Sequence, residues 1–489
     1  MKVCLIAEGC YPYVIGGVSS WIHSMINAFP EIEFSLISII SDRSQRGKFV
    51  YELPENLREV YEIYLQDKDW TPGTRGLESD RLNWMRLNKK HHKALRSLVL
   101  GENVDWNGVF DMCQEPGLSV NELLMSPGFL EIIREYYKKH FSNITFSDFL
   151  WTLRSIYMPL FIAMQFETPM ADIYHCVATG YSGIVGAMAK AMHPGSTMLI
   201  SEHGIYTRER EEEIIRAHWV QGIYKDIWIQ QFRKMSQCAY KYADVVTSLF
   251  EHARELQIEL GCPAEKTVVT PNGIVTERFA AAPGKDPEDE HINVGAILRI
   301  TPIKDVKTMI NAFHFAQQKN PRLKLWLMGP DDEDPEYARE CRDLIQMLGA
   351  QNIELTGRIN TLDYIGRMDM TILTSISEGQ PLTILESFAV KKPCVATNVG
   401  NCYGLIYGED DDLGAAGIVA PVMNINAISD AILALAGDPE MRAEMGEIGY
   451  ARLMRKYKIE YMTEKYLSVY RQLADKARLA YPEEGREGT

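Results

Sequence analysis

Twice along its length the chain runs through one alternation: a short apolar, β-branched run, then an amphipathic stretch of helical period. In the first half the strand-like runs fall at residues 3–7, 34–40, 173–177, 197–201, 245–248 and 267–269. After the first of them, Val18, Trp21, Ile22, Met25, Ile26 and Phe29 mark one face of a helix. A second series begins at His291, with runs at 292–298, 323–328, 353–355, 370–374 and 394–397. Between the two lies a polar stretch at 280–290 containing Pro283, Gly284 and Pro287, a composition that suits a linker. Repeated strand–helix alternation predicts an α/β chain with two parallel, doubly wound sheets. The 489 residues suffice for two such domains.

Residues from about 66 to 168 break the alternation. They are rich in aromatics and charge, with helical patches at 81–98 and 129–141, and predict a largely helical insertion. The net charge of −15 argues against a nucleic-acid binder, which needs a basic face. The nine cysteines form no Cys-x-x-Cys pair, which argues against a zinc site or a disulfide framework and for a reducing, cytoplasmic compartment. Met1-Lys2-Val3-Cys4 runs directly into a strand without the pattern of a signal peptide, and no uncharged apolar run is long enough for a membrane span.

Chemistry concentrates where strands give way to helices. Glu378 and Glu386 stand eight positions apart in Ser377-Glu378-Gly379-Gln380-Pro381-Leu382-Thr383-Ile384-Leu385-Glu386. A strand precedes them and a helix to about Val390 follows, so Glu378 falls on the loop and Glu386 on the helix. Pro381 suits the first helical position. The N–H groups at Leu382 and Thr383 then form an anion cradle between the two carboxylates. Upstream, the strand at 292–298 ends in Arg299-Ile300-Thr301-Pro302-Ile303-Lys304-Asp305, before a helix at 306–318. Arg299 and Lys304 thus sit at the carboxyl edge of a sheet, with a charge that suits phosphate. Gly16-Gly17 after the first strand would let the backbone approach a ligand closely. His203 follows the strand at 197–201. Pro271-Asn272-Gly273 is a turn after another strand. The acidic run Asp331-Asp332-Glu333-Asp334 reads as a solvated loop rather than a metal site.

The Glu-x7-Glu spacing with its upstream Arg–Lys loop resembles the retaining glycosyltransferases of family 4, which have the GT-B fold. Tyr11-Pro12-Tyr13-Val14-Ile15-Gly16-Gly17-Val18, Ser201-Glu202-His203-Gly204-Ile205-Tyr206 and Ser377-Glu378-Gly379-Gln380-Pro381 are similar, within that family, to enzymes of Pel-type exopolysaccharide synthesis. The family commonly has Gly after the basic-loop lysine, and here it is Asp305. The resemblance implies two facing Rossmann-like domains with a cleft between them: 1–285 with a returning helix at 458–489, and 290–457. It implies a UDP-sugar donor, UDP-glucose first and an N-acetylated hexosamine second, a carbohydrate acceptor, and no metal or other cofactor. Arg299 and Lys304 would take the diphosphate, Glu386 the ribose, and Glu378 and His203 the donor sugar and reacting centre. Gly16, Gly17, Asn272, Gln380, Pro381, Leu382 and Thr383 would line the site, and Arg358 and Ile359 would meet the base. A membrane-embedded polysaccharide synthase complex is the implied partner. A sugar-nucleotide epimerase, an inactive scaffold subunit and a glycogen-type synthase remain open alternatives.

Overall fold

The computed structural model of the chain describes residues 1–66, 87–101 and 103–480, the last three by backbone alone. Contacts divide it into two units, 1–269 with 467–489, and 270–466. In the first, seven strands form one parallel sheet: β1 (Lys2–Glu8), β2 (Glu33–Ile40), β3 (Leu57–Tyr64), β4 (Ile173–Cys176), β5 (Thr197–Ser201), β6 (Val245–Ser248) and β7 (Thr267–Val269), in the order 3-2-1-4-5-6-7. The central strands are mostly apolar and buried along nearly their whole length because helices cover both faces, as all-parallel sheets require. β3 escapes the sequence pattern. As an edge strand reading Leu-Arg-Glu-Val-Tyr-Glu-Ile-Tyr it buries only Leu57 and Ile63 fully.

The expected insertion is helical where described, with helices Lys89–Leu100, Trp106–Cys113, Val120–Met125, Pro127–His140 and Phe146–Met164. The 81–86 part of one expected helical patch lies outside the described residues. Phe110, Phe129, Phe149 and Phe161 join the apolar core beneath β1 and β4, so this layer belongs to the first unit's own core. Residues from Leu467 onward in the last helix, Ile459–Ala480, also belong to this unit. Tyr470 shares a 2.7 Å hydrogen bond with His175 Nδ1, and Lys476 pairs with Asp244 at 2.6 Å.

The second unit holds a six-stranded parallel sheet: β8 (Ile292–Ile297), β9 (Leu323–Met328), β10 (Ile353–Gly357), β11 (Met370–Leu373), β12 (Cys394–Thr397) and β13 (Gly417–Ala420), in the order 10-9-8-11-12-13. The boundary between the units falls at 269/270 and not near 285–290. Residues 270–285 pack with the second unit because Ile274 bridges to Lys458 and, with Phe279, enters the core around Ile365, Leu373 and Ile384. For the same reason the last helix starts in the second unit, so the segment returning to the first begins at 467 and not 458. Strand order reverses between β8 and β11. That is the topological switch point at which open parallel sheets leave a crevice for ligands at their carboxyl ends.

Candidate active site

Both sequence constellations arrive at that switch point. Lys304 follows β8 and Glu378 follows β11, and they meet in an ion pair, Nζ to Oε1, at 2.6 Å. Ser375 Oγ donates to the same carboxylate oxygen at 2.5 Å. The pair is largely buried, with side chains 19% and 12% exposed. Its two loops are bolted together. Ile376 N–H donates to Ile303 at 2.9 Å, and the Thr374 hydroxyl lies within 3.1 Å of the carbonyls of Lys304 and Asp305. Asp305 takes a left-handed conformation (φ 46°) and caps the helix Val306–Lys319. Asp tolerates that region better than most residues, so it can stand where the resembling family has Gly.

Pro381 is corrected by the structure. It is the residue before the helix Leu382–Ala389, with ψ 117°, rather than its first member. No side chain caps this helix start, so the cradle at Leu382 and Thr383 remains a feature of the backbone. Glu386, one turn in, is half-buried, and burial raises its pKa to about 7 against the opposing pull of Arg278. Arg299 does not join the Lys304–Glu378 pair. It lies at the surface, bound to Glu333 at 2.5 and 2.7 Å. Arg358 is likewise exposed, 3.6 Å from Asp332, and Ile359 beside it is half-buried. The acidic run is engaged throughout, since Asp331 pairs with Arg342 and Asp334 caps the helix Pro335–Leu348. Among the described residues no group of three or more His, Cys, Asp or Glu is placed to hold a metal.

Around the pair, hydrogen-bonding capacity goes unused. Among the described residues of the second unit, seven buried side-chain polar atoms lack a partner. Five are on Thr270, Asn272, Thr301, Asp305 and Gln380. All five lie on the loops at 270–272, 301–305 and 378–380, which carry or adjoin Lys304 and Glu378. An unsatisfied buried donor or acceptor costs roughly 1–3 kcal/mol, so folded proteins keep few of them. Their concentration on three loops marks a place prepared for polar groups from elsewhere. Sequence reading missed Ser375, Thr301 and Arg278. Only Ser375, three positions before Glu378 at a strand end, carried a local signal.

The remaining candidates lie in the first unit. Gly16 and Gly17 open the helix Gly17–Ala28, and a Cβ at either would meet nothing within 4 Å. The chain itself therefore does not require glycine there. Trp21 of that helix stands edge-on to the His203 ring, with centroids 4.4 Å apart. Burial lowers the His203 pKa to about 4, so the imidazole is neutral near pH 7, and its Nε2 is buried without a partner. Glu202 is scaffolding: it accepts hydrogen bonds from Tyr240, Gln257 and Thr179 at 2.7, 2.9 and 3.2 Å.

Comparison with known proteins agrees with this architecture. A family model described as Domain of unknown function (DUF3492) matches residues 1–265, and one described as Glycosyl transferases group 1 matches residues 280–452. The chain is 26% identical over 180 residues to the poly(ribitol-phosphate) alpha-N-acetylglucosaminyltransferase of Staphylococcus aureus, covering 36% of this chain and 35% of that one. It is 28% identical over 215 residues to the D-inositol 3-phosphate glycosyltransferase of Kribbella flavida, covering 40% and 49%. The chain thus spans about a third to a half of the length of these two curated relatives. Among solved structures, Anabaena Alr3699/HepE in complex with UDP-glucose superposes with a TM-score of 0.60 at 14% identity, covering 96% of this chain and 100% of that one. Sucrose-phosphate synthase from Thermosynechococcus elongatus gives 0.59 at 16%, covering 96% and 98%. At these identities the structures speak for the fold, which is GT-B with two Rossmann-like domains of parallel sheet. The chain therefore belongs to the DUF3492 family, its amino-terminal domain joined to a glycosyl transferases group 1 domain over residues 280–452.

Proposed function

We propose that this chain is a retaining, metal-independent glycosyltransferase of the cytosol. It moves a hexose from a UDP-sugar, UDP-glucose for preference, to a growing exopolysaccharide or its primer, as in Pel-type synthesis. The observation that carries this reading is the Lys304–Glu378 pair at the switch point, beside an uncapped helix start and five unpartnered polar atoms. Relatives lend support, since they include enzymes of capsular polysaccharide and amylovoran biosynthesis. So does the Anabaena structural neighbour, which was crystallised in complex with UDP-glucose. No helix among the described residues is long and apolar enough to cross a membrane. The proposed link to a membrane-embedded synthase complex is through partner proteins or an amphipathic surface.

In the mechanism, a diphosphate draws Lys304 away from Glu378 and settles on the N–H groups of Leu382 and Thr383. Arg299 leaves Glu333 at little cost, because exposed ion pairs contribute about 0–1 kcal/mol. These fixed positive groups stabilise the charge that develops as the sugar–phosphate bond breaks, which is electrostatic preorganisation. With the diphosphate so neutralised, the reaction needs no metal. Glu378, relieved of Lys304, accepts hydrogen bonds from the donor sugar, and Glu386 accepts them from the ribose. His203, neutral near pH 7, exchanges hydrogen bonds without adding charge. The acceptor hydroxyl attacks the face that the leaving phosphate departs from and passes its proton to that phosphate, so anomeric configuration is retained and no carboxylate nucleophile is required.

Calorimetric titration with UDP, GDP and ADP, each with and without Mg2+, tests this reading. UDP alone should bind, with equal affinity in the presence of metal, and binding should be lost in Lys304→Ala. Folded protein that binds none of the three nucleotides would overturn it.

A further inference from the structure

Two of the unpartnered atoms belong to residues joined by one hydrogen bond. Gln380 Oε1 accepts the backbone N–H of Asn272 at 2.8 Å. This bond fixes which way the Gln380 amide faces, because only the oxygen can accept. The Nε2 donor is therefore turned elsewhere, buried and without a partner. On the other residue, Asn272 Oδ1 is an acceptor in the same state. The side chains come from residues only 5% and 8% exposed. One hydrogen bond thus joins the two residues, from the backbone of Asn272 to the side chain of Gln380, and it leaves beside it one unused buried donor, Gln380 Nε2, and one unused buried acceptor, Asn272 Oδ1.

A hydroxyl group is the simplest partner for both. It can accept from Nε2–H and donate to Oδ1 at once, which a phosphate oxygen, with no proton to give, cannot do. Position agrees with this chemistry. Gln380 stands two residues after Glu378 and two before Leu382, so a ligand with its diphosphate on the helix start carries its next group to Gln380. We propose that Gln380 and Asn272 form a paired reader for one hydroxyl of the donor hexose and so set which hexose is accepted. The inference rests on the UDP-sugar reading above. Neither atom is open to solvent, so the loop that follows β11 shifts as the sugar enters, and the hydroxyl then takes up both unused bonds.

The experiment compares wild type with Gln380→Met and Asn272→Ala, each first checked for an unchanged thermal midpoint and far-UV spectrum. Affinities are measured for UDP, UDP-glucose and UDP-galactose, which differ in one hydroxyl's configuration, and for UDP-N-acetylglucosamine. Wild type should prefer one sugar nucleotide over the others. Each variant should keep UDP affinity within about twofold while losing roughly tenfold of that preference, the value of about one hydrogen bond. Variants that keep the full wild-type preference among the sugars would show that the pair holds only a structural water, and would overturn the inference. Equal loss of UDP and UDP-sugars in folded variants would overturn it too, since the pair would then shape the pocket rather than read the sugar. If wild type binds UDP-sugars but ranks them equally, the inference alone fails. If wild type binds no UDP at all, the functional reading fails and takes the inference with it.

Discussion

Burial leaves Glu386 with a pKa of about 7, so near neutral pH roughly half the molecules carry a proton there. Accepting hydrogen bonds from ribose hydroxyls favours the carboxylate, so UDP binding should expel that proton. Calorimetry at pH 7 in two buffers of different ionisation enthalpy should therefore report release of up to about half a proton per UDP. Glu386→Gln should abolish it, and the difference between the two proteins removes the nucleotide's own titration. An identical proton count in both would separate Glu386 from the ribose. Glu378 predicts differently, because its partners are Lys304 and Ser375. Glu378→Gln removes the carboxylate that receives Lys304 but keeps a group of the same size. Turnover should fall by about a hundredfold or more while UDP affinity changes little, a split that steady-state kinetics and titration resolve together. Lys304 and Glu378 were legible in the sequence because each closely follows an apolar strand. The Gln380–Asn272 bond was not, since its partners lie 108 positions apart and meet only through the fold.

Loops rather than regular elements hold the site in shape, and one glycine shows how tightly. Gly400 follows β12 with φ 52°, and a Cβ there would stand 2.3 and 2.2 Å from the carbonyl oxygens of Glu378 and Gly379. Both neighbours are backbone and cannot swing aside. Gly400→Ala should cost about 2–3 kcal/mol, from left-handed strain plus displacement of the Glu378 loop. It should also weaken UDP-sugar binding well beyond what its stability loss explains. Gly437→Ala is the control, because a Cβ at that helix end meets nothing within 4 Å. Denaturant midpoints and donor affinities that move alike in the two variants would remove Gly400 from the site's support. The same scale shows where sequence legibility ends. Eleven strands were readable because each is a short apolar run, the central ones buried on both faces. β3 was missed as a half-exposed edge strand, and β13, Gly-Ile-Val-Ala, as an edge strand of only four residues. The placement of Pro381 as a cap turned on a single ψ angle, which no residue pattern encodes.

At the scale of the molecule, the chain's last described helix returns residues from Leu467 onward to the unit formed by its beginning. His175 at the centre of β4 sits at that join. It is fully buried, with Nδ1 2.7 Å from the Tyr470 hydroxyl and Nε2 2.8 Å from Ser201 Oγ. Burial, with a smaller contribution from nearby His203, lowers its pKa to about 3. The sign follows from linkage. The unfolded chain takes up a proton on this histidine near pH 6.5, whereas the folded chain resists until about 3. The stability contributed by a neutral His175 is thus complete above pH 6.5 and drains away as pH falls toward 3. Buried Glu202 acts in the opposite direction. Its pKa is raised to about 7 by burial, so its contribution is complete below about 4.5 and is lost as pH rises through 7. His203 adds to the first effect and Glu386 to the second, so overall stability mixes them and His175 is isolated only by difference. His175→Gln should cost about 1–3 kcal/mol at pH 7.5, for two hydrogen bonds made less well. Between pH 6.5 and 4 wild type should lose about 3 kcal/mol that the variant does not, since each pH unit of one proton's linkage is worth about 1.4 kcal/mol. Guanidinium midpoints of the two proteins should therefore converge on acidification and cross. Parallel curves from pH 7.5 to 4 would mean that His175 takes up its proton in the folded state as readily as in the unfolded one, and that its burial beneath the returning helix contributes nothing to the acid sensitivity of the fold.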